Sequence, residues 1–146
     1  MALKVELKPG ERIIIGECVV TNTDQRTRLL IDGEVPLLRE KDILTPEHAD
    51  TPAKRLYLAV QLMYTSRDPR QHYEVYFSLL TEMLQAAPST GRYFAAINNL
   101  ILTGNLYKAL KEAKKLIAYE GELIDNAKRS AGLRNRSVTN REPART

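Results

Sequence analysis

Residues 38–52, LREKDILTPEHADTP, separate two parts of the chain that differ in hydrophobic period. Before this stretch, apolar residues alternate with charged residues over positions 3–8, which is the period of a half-buried strand. After it, the apolar residues of positions 56–63 recur at spacings of three and four, which is the period of an amphipathic helix. The sequence therefore predicts that strands give way to helices after Asp42.

Residues 1–44 contain short predicted strands separated by turn residues. Pro9-Gly10 and Gly16-Glu17 interrupt the first strands, and Asp32-Gly33 lies between two apolar runs as a hairpin signal. Pro36 places the last strand at an edge or a bulge, because proline cannot donate a hydrogen bond to a strand ladder. We predict a small antiparallel β meander or open barrel.

The rest of the chain carries repeated helix-start signals. A capping residue precedes a proline at Thr45-Pro46, Thr51-Pro52 and Asp68-Pro69, and the first of these predicts only one short turn. Residues 88–91 end one helix and cap the next, and Gly104-Asn105 precedes the last clear helix. These signals predict a bundle of about four helices.

The predicted fold is α+β in three segments. A β-rich subdomain, residues 1–44, packs on a helical subdomain, residues 45–129, within one continuous domain, because so few β residues are marginally stable alone. Residues 130–146 are predicted to form a disordered basic tail. Residues 128–146 hold six Lys and Arg against one Glu, a net charge of +5, so residues 1–127 carry −1. This positive charge indicates either an acidic partner or a solvated terminus.

Composition restricts the class of protein. The 146 residues are 43% hydrophobic and 27% charged, as in soluble globular proteins. No apolar run approaches the roughly 20 residues of a membrane span, and the charged start lacks a signal-peptide core. Cys18 is the single cysteine, which excludes an intramolecular disulfide. We expect a reduced, cytoplasmic protein with no membrane association.

Residues suited to catalysis or metal binding are few. His48 and His72 lie at helix starts, lack the spacing of a metal site and are interpreted as surface or capping residues. Cys18 lies in a predicted strand and is expected to be a buried structural thiol. The sequence contains no phosphate-binding glycine motif and no nucleophile motif. We expect no enzymatic activity, no metal and no cofactor.

Basic residues give the strongest binding signal. Arg26 and Arg28 are two residues apart in a predicted strand, so their side chains are expected on one face, where guanidinium groups can bind phosphates and stack on unpaired bases. An exposed sheet face balanced by Asp24 and Asp32 is the other interpretation, and both stay open. The predicted RNA-binding residues are Arg12, Arg26, Arg28, Arg39, Lys41, Lys54 and Arg55.

Two further charge patterns are interpreted as ordinary surface. Glu40 and Asp42 alternate with Arg39 and Lys41, which is typical of a solvated face. Three lysines share one face of the last helix and are interrupted by Glu112; they are Lys108, Lys111 and Lys115.

The residues also resemble a known family. The segments LKPGERI (7–13), LREKDILTPEHADTP (38–52) and LYLAVQLM (56–63) are similar to those of the FlbT family, flagellin-synthesis regulators of alphaproteobacteria. A weaker similarity follows at residues 104–117, where the family has a small-residue break before a lysine-rich helix. The resemblance covers roughly residues 3–125 and does not include the basic tail.

The resemblance implies a post-transcriptional regulator in flagellum biogenesis. Such proteins act on the 5′ untranslated region of flagellin messenger RNA and repress translation or promote decay of the message, although some relatives act positively. It also implies a functional partnership with the FlaF family. The alternative is a protein-binding adaptor or chaperone-like helical protein that acts on FlaF-like proteins or flagellin and affects RNA only indirectly. Homo-oligomerisation is left open.

Overall fold

Five strands and four helices make up the described part of the chain. The computed structural model describes the backbone of residues 2–140 and the side chains of residues 2–132. The strands are β1 (Ala2–Leu7), β2 (Arg12–Ile15), β3 (Cys18–Thr21), β4 (Thr27–Asp32) and β5 (Leu37–Arg39). The helices are α1 (Pro52–Thr65), α2 (Tyr73–Ala86), α3 (Gly91–Leu102) and α4 (Leu106–Asn140). Strands followed by helices confirm the predicted α+β fold.

The strands form two small, open antiparallel sheets. β1 pairs with β4, with Val5 opposite Leu29, and β2 lies between β3 and β5 in the other sheet. The predicted hairpin at Asp32-Gly33 is wrong, because β4 and β5 belong to different sheets and this turn carries the chain between them. The edge prediction for the strand after Pro36 is confirmed, because β5 is the outer strand beside β2.

A tight hairpin joins β2 to β3 through Gly16-Glu17. Ile15 faces Cys18 in register, and Gly16 takes a φ of 61°, which the first residue of a type II′ turn requires. Cys18 is exposed, so the expectation of a buried thiol is wrong. The physical reason is that Cys18 lies on an outer strand, β3, and Val19, the next residue of that strand, is also exposed.

Helix α1 starts at its predicted capping residue. The Oγ1 atom of Thr51 accepts a hydrogen bond from the amide of Lys54 at 3.3 Å, and Pro52 is the first residue of α1. A carboxylate oxygen of Glu120, on α4, accepts from the amide of Ala53 at 3.0 Å and satisfies another free N–H of this helix end. Asp68 caps a short 3₁₀ turn, Pro69–His72, that leads into α2.

Helix α4 is the longest helix of the described residues, and its helical backbone runs from Leu106 to Asn140. The predicted disorder from residue 130 onward stays a prediction. No proline interrupts the chain between Leu106 and Pro143, so nothing in that stretch prevents the backbone ladder from propagating. The predicted disorder of residues 141–146 lies outside the described residues.

The core has two parts. Val5, Leu7 and Ile13 form a small cluster between the sheets. The larger cluster fills the helical bundle, where α4 packs on α1 and α3 and α1 packs on α2. Leu38 of β5 belongs to this larger cluster, so the second sheet is joined to the bundle by apolar contact.

Three polar side chains on one stripe of α1 hold the strand-to-helix connection. Gln61 accepts from the amide of Leu44 at 2.8 Å and donates to the carbonyl of the same residue at 3.1 Å. The Tyr57 hydroxyl donates to the carbonyl of Asp42, and the Tyr64 hydroxyl donates to the carbonyl of Leu37 at 3.1 Å. Because positions 57, 61 and 64 recur at helical spacing, one face of α1 satisfies backbone groups over residues 37–44. We call these three residues the α1 polar stripe.

Replacing the buried Gln61 by Leu should lower the free energy of unfolding by about 2 kcal/mol, because the partly buried amide and carbonyl of Leu44 lose their partner. Urea unfolding followed by circular dichroism measures the change. The matched control is Gln85→Leu on the exposed surface of α2, with an expected change below about 0.5 kcal/mol. Equal destabilisation by both substitutions would contradict the role of Gln61 in holding the strand-to-helix connection.

Candidate nucleic-acid interface

The seven predicted RNA-binding residues occupy several separate places. Four of them form ion pairs with carboxylates of the body. The other three, Arg39, Lys41 and Arg55, are exposed and have no carboxylate within 4.0 Å among the side chains described up to residue 132. The structure therefore does not gather all seven on one surface, and their RNA contacts stay a prediction.

Arg26 and Arg28 lie on one face, as their spacing predicts, and share Glu6. The Arg26 guanidinium donates to one carboxylate oxygen of Glu6, and Nε of Arg28 is 3.9 Å from the other. The hydrogen bond and charge of Arg26, with the charge of Arg28, lower the pKa of Glu6. Arg28 stands directly opposite Glu6 in the β1–β4 register, and its side chain is 88% exposed. Both cations still face solvent.

Two more of these cations form ion pairs near the helical part. Nε of Arg12 lies 3.3 Å from Glu40, which also accepts from the Arg12 amide at 3.3 Å. Nζ of Lys54 lies 3.2 Å from Asp50, one helical turn earlier. These exposed or half-exposed pairs contribute little to stability, but they compete with any phosphate for the same cations.

Arg39 and Lys41 line a groove where β1 and β5 meet α1 and α4. The groove has a volume of about 400 Å³. We call it the Arg39–Tyr107 groove, and its lining residues are Leu3, Leu37, Arg39, Lys41, Asp42, Tyr64 and Tyr107. Two cations that have no carboxylate partner within residues 2–132, together with two tyrosine rings, can contact both the backbone and the bases of a single-stranded nucleic acid.

Tyr107 is an aromatic residue of this groove that the predicted RNA-binding residues do not include. Its ring centroid lies 5.7 Å from that of Tyr64 at an interplanar angle of 48°, and the residue is 43% exposed. Nζ of Lys111 lies 4.9 Å from the Tyr107 ring centroid. The spacing of Tyr107 and Lys111, one helical turn apart, was the available signal, but nothing local indicates that β5 would lie opposite.

A buried carboxylate forms the floor of the groove and corrects the interpretation of residues 39–42. Asp42 is only 5% exposed, so the alternating charges are not a uniformly solvated face. Lys114 donates a hydrogen bond to this carboxylate, and Nζ of Lys111 lies 3.4 Å from it. Burial raises the pKa of Asp42, but the hydrogen bond and charge of Lys114, with Lys111, lower it below its usual value.

The lysines of α4 do not form a continuous basic track. Lys111 is held by Asp42 and Tyr107, and Nζ of Lys115 lies 2.9 Å from Glu112. Lys108 is exposed. The ion pairs of Lys111 and Lys115 agree with the interpretation of these lysines as an ordinary surface rather than a nucleic-acid track.

Other chemistry is limited in the described residues. His48 is exposed, as the surface interpretation predicts, and its Nδ1 lies 2.7 Å from the Thr45 hydroxyl. Within residues 2–132, no three His, Cys, Asp or Glu side chains come together as a metal site. Along residues 2–140, the structure contains no helix with the length and apolar character needed to cross a membrane.

The sequence is similar to a known protein family and to named proteins of that family. The family model described as flagellar protein FlbT matches residues 3–124. The probable flagellum biosynthesis repressor protein FlbT 1 of Bradyrhizobium diazoefficiens is 65% identical over 124 residues, which cover 84% of this chain and 85% of that protein. No solved structure matches.

More distant relatives carry similar names. The probable flagellum biosynthesis repressor protein FlbT of Rhodopseudomonas palustris is 53% identical over 85% of this chain and 98% of its own length. The flagellum biosynthesis repressor protein FlbT of Caulobacter vibrioides is 36% identical over 85% of this chain and 90% of its own length.

Replacing Asp42 by Asn should lower the free energy of unfolding by about 2 kcal/mol at pH 7, because two lysines lose a buried carboxylate. The pKa of Asp42 is lower in the folded state, so its stabilisation is present above the ordinary value of 3.8 and is lost as the pH falls through the folded value. Urea unfolding at pH 7 and at pH 3 should therefore show a smaller difference from wild type at pH 3.

The matched control is Asp32→Asn, which changes an exposed carboxylate at the end of β4. The Asp32→Asn substitution should change the free energy of unfolding little at either pH. An Asp42→Asn loss that is as large at pH 3 as at pH 7 would contradict the ion-pair account.

Proposed function

The chain belongs to the FlbT family of flagellar proteins, and on this premise we propose that it regulates flagellin synthesis by binding the 5′ untranslated region of flagellin messenger RNA. Its relatives are named flagellum biosynthesis repressors, which supports a regulatory role in flagellum synthesis. Binding to the leader represses translation or promotes decay of the message. The proposed role involves no catalytic step.

The observation that carries this proposal is the Arg39–Tyr107 groove. Arg39 and Lys41 have no carboxylate partner among the described side chains, and they stand beside the partly exposed ring of Tyr107. An unpaired base can stack on this ring while the two cations bind the adjoining phosphates, because single-stranded RNA is recognised through both contacts. RNA loops and ends therefore fit this groove better than a duplex.

Arg26 and Arg28 extend the proposed contact along the outer face of the β1–β4 sheet. This face is separate from the groove, because Leu3 lines the groove whereas Glu6 points to the opposite side of β1 with Arg28. The two arginines serve as phosphate contacts in the proposal, and Glu6 weakens them. The groove residues are expected to determine more of the affinity than this outer pair.

The test is binding of the full chain to a labelled flagellin leader at two salt concentrations, beside an unrelated RNA of equal length. Arg39→Ala and Lys41→Ala should each weaken binding and reduce the salt slope by about 1. Tyr107→Ala should weaken binding about tenfold by removing a stacking surface, whereas Tyr107→Phe keeps the ring and should bind almost as wild type. Fluorescence anisotropy gives the dissociation constants.

The matched control is Arg92→Ala. Arg92 is an exposed arginine on α3, and it lies 5.0 Å from the ring centroids of Tyr93 and Tyr119. Tyr119 follows Tyr107 on α4 at a distance of about 18 Å along the helix axis. The Arg92→Ala substitution should leave leader binding unchanged. Equal binding of leader and unrelated RNA, or groove variants that bind as wild type, would contradict the proposal.

The second candidate function is a protein-binding adaptor for flagellin or a FlaF-family protein. Residues 1–127 carry a net charge of −1, which is low for a dedicated RNA-binding body, and the body exposes apolar side chains such as Val75 on α2 and Leu102, which is 75% exposed. Titration of the full chain with purified flagellin distinguishes the two functions. The adaptor predicts binding that the groove variants do not change and no preference for leader RNA.

A further inference from the structure

Strand β4 has one free edge. It pairs with β1 along one side, and no further strand joins this sheet within residues 2–140. Outside the pairing with β1, residues 28–32 form no backbone-to-backbone hydrogen bond in that part of the chain. The register with β1 runs without a bulge, and Thr27–Asp32 contains no proline, so the edge lacks two features that commonly block strand pairing. The amide and carbonyl groups along this edge can therefore pair with one more strand.

Three exposed side chains follow one another along the outer face of β4. Arg28 and Asp32 are exposed, and Leu30 between them is 65% exposed. Alternate residues of a strand point to the same face, so the three share the face that also carries Glu6 of β1. We call Arg28, Leu30 and Asp32 the β4 outer row. Because its base and its acid lie at equal distances on either side of Leu30, the row is complementary to itself when it is turned by 180° about Leu30.

We propose that β4 pairs along its free edge with β4 of a second copy of this chain, antiparallel about a two-fold axis at Leu30. Arg28 then faces Asp32 of the second copy, and symmetry repeats this contact. The Leu30 side chains of the two copies meet at the axis. The two β1–β4 sheets become one four-stranded antiparallel sheet.

The outer face of this sheet is complementary in charge. Glu6 stands opposite Arg28 in the β1–β4 register, so Glu6, Arg28 and Asp32 of the second copy form one acid–base–acid row across three strands. Lys4 stands opposite Leu30, where its aliphatic stem can cover the leucine pair at the axis. Directly opposite residues of an antiparallel pair point to the same side of the sheet, so these contacts are geometrically possible together.

The inner face of the sheet is complementary in its apolar character. Leu29 and Ile31 are only partly buried in one copy, where they pack against the cluster of Val5, Leu7 and Ile13. In the proposed register Leu29 faces Ile31 of the second copy. The pairing therefore removes more of both side chains from water and extends the apolar cluster across the axis.

The order of charges identifies a second copy as the occupant of this edge. A parallel copy in register would place Arg28 beside Arg28 and Asp32 beside Asp32, so only the antiparallel direction joins opposite charges. The residues that line the Arg39–Tyr107 groove include none from β4, so the pairing leaves that groove open. Arg28 is then flanked by two carboxylates, which agrees with the small share of RNA affinity expected of it.

The first test is the mass of the full chain by sedimentation equilibrium without RNA, so its result does not depend on the proposed function. Two paired strands make a small interface, for which we expect a dissociation constant on the order of 10 micromolar. At about 100 micromolar the wild-type mass should therefore approach twice the 16.6 kDa of one chain. At about 1 micromolar the chain should be mostly monomeric, and the stability comparison with Asp32→Asn is made at that concentration.

Leu30→Lys places two ammonium groups at the axis and should give a monomer at about 100 micromolar with an unchanged circular dichroism spectrum. The matched control is Val19→Lys, because Val19 is 60% exposed and lies on β3, an outer strand of the other sheet. This control should leave the dimer intact.

A cross-link tests the register. In a Cys18→Ser background, Leu30→Cys should form a disulfide between two chains on mild oxidation, because residues at the axis have Cα atoms about 4.5–5.5 Å apart. Val19→Cys in the same background should not cross-link. A wild-type monomer at about 100 micromolar, a dimer that Leu30→Lys leaves intact, or equal cross-linking at both positions would overturn the proposal.

Discussion

The hydrogen bonds from the α1 polar stripe to the backbone of residues 37–44 are the constraint on which the rest of the structure depends. This segment leaves a strand and enters a helix, so its amide and carbonyl groups have incomplete ladder partners. Gln61 forms hydrogen bonds with both the amide and the carbonyl of Leu44, and Tyr64 does the same for Leu37. Tyr57 donates a hydrogen bond to the carbonyl of Asp42. One helix face thereby fixes the position of the second sheet on the bundle.

The same constraint arranges the charges of the candidate site. With residues 37–44 fixed against α1, Asp42 points toward α4 and binds Lys111 and Lys114, while Arg39 and Lys41 stay exposed at the groove wall. Asp42 is thus neutralised inside the body and Glu40 is paired with Arg12, while Arg39 and Lys41 remain available. The Arg39–Tyr107 groove acquires positive charge although residues 1–127 as a whole carry −1.

Local patterns predicted the elements, but not the contacts between distant ones. The change of period after Asp42, the Thr51-Pro52 cap and the break at Gly104 are local, and the structure has them where the sequence predicts. The pairing of β1 with β4 is not local, and the hairpin expected at Asp32-Gly33 failed because strand partners are chosen by burial. Local patterns also did not reveal Glu6 as the partner of Arg26 or Tyr107 as the aromatic neighbour of Arg39, because each contact joins residues that are far apart in the sequence. Family resemblance supplied the flagellar context, which residue chemistry alone did not.

The central claim is that leader RNA is bound in the Arg39–Tyr107 groove. The most direct measurement is photo-cross-linking of a flagellin leader that carries 4-thiouridine to the full chain, followed by peptide mapping. The account predicts cross-links to the peptide containing Tyr107, with a second set near Arg39. Cross-links confined to the basic residues 128–146 would contradict it, because they would show contact through charge alone.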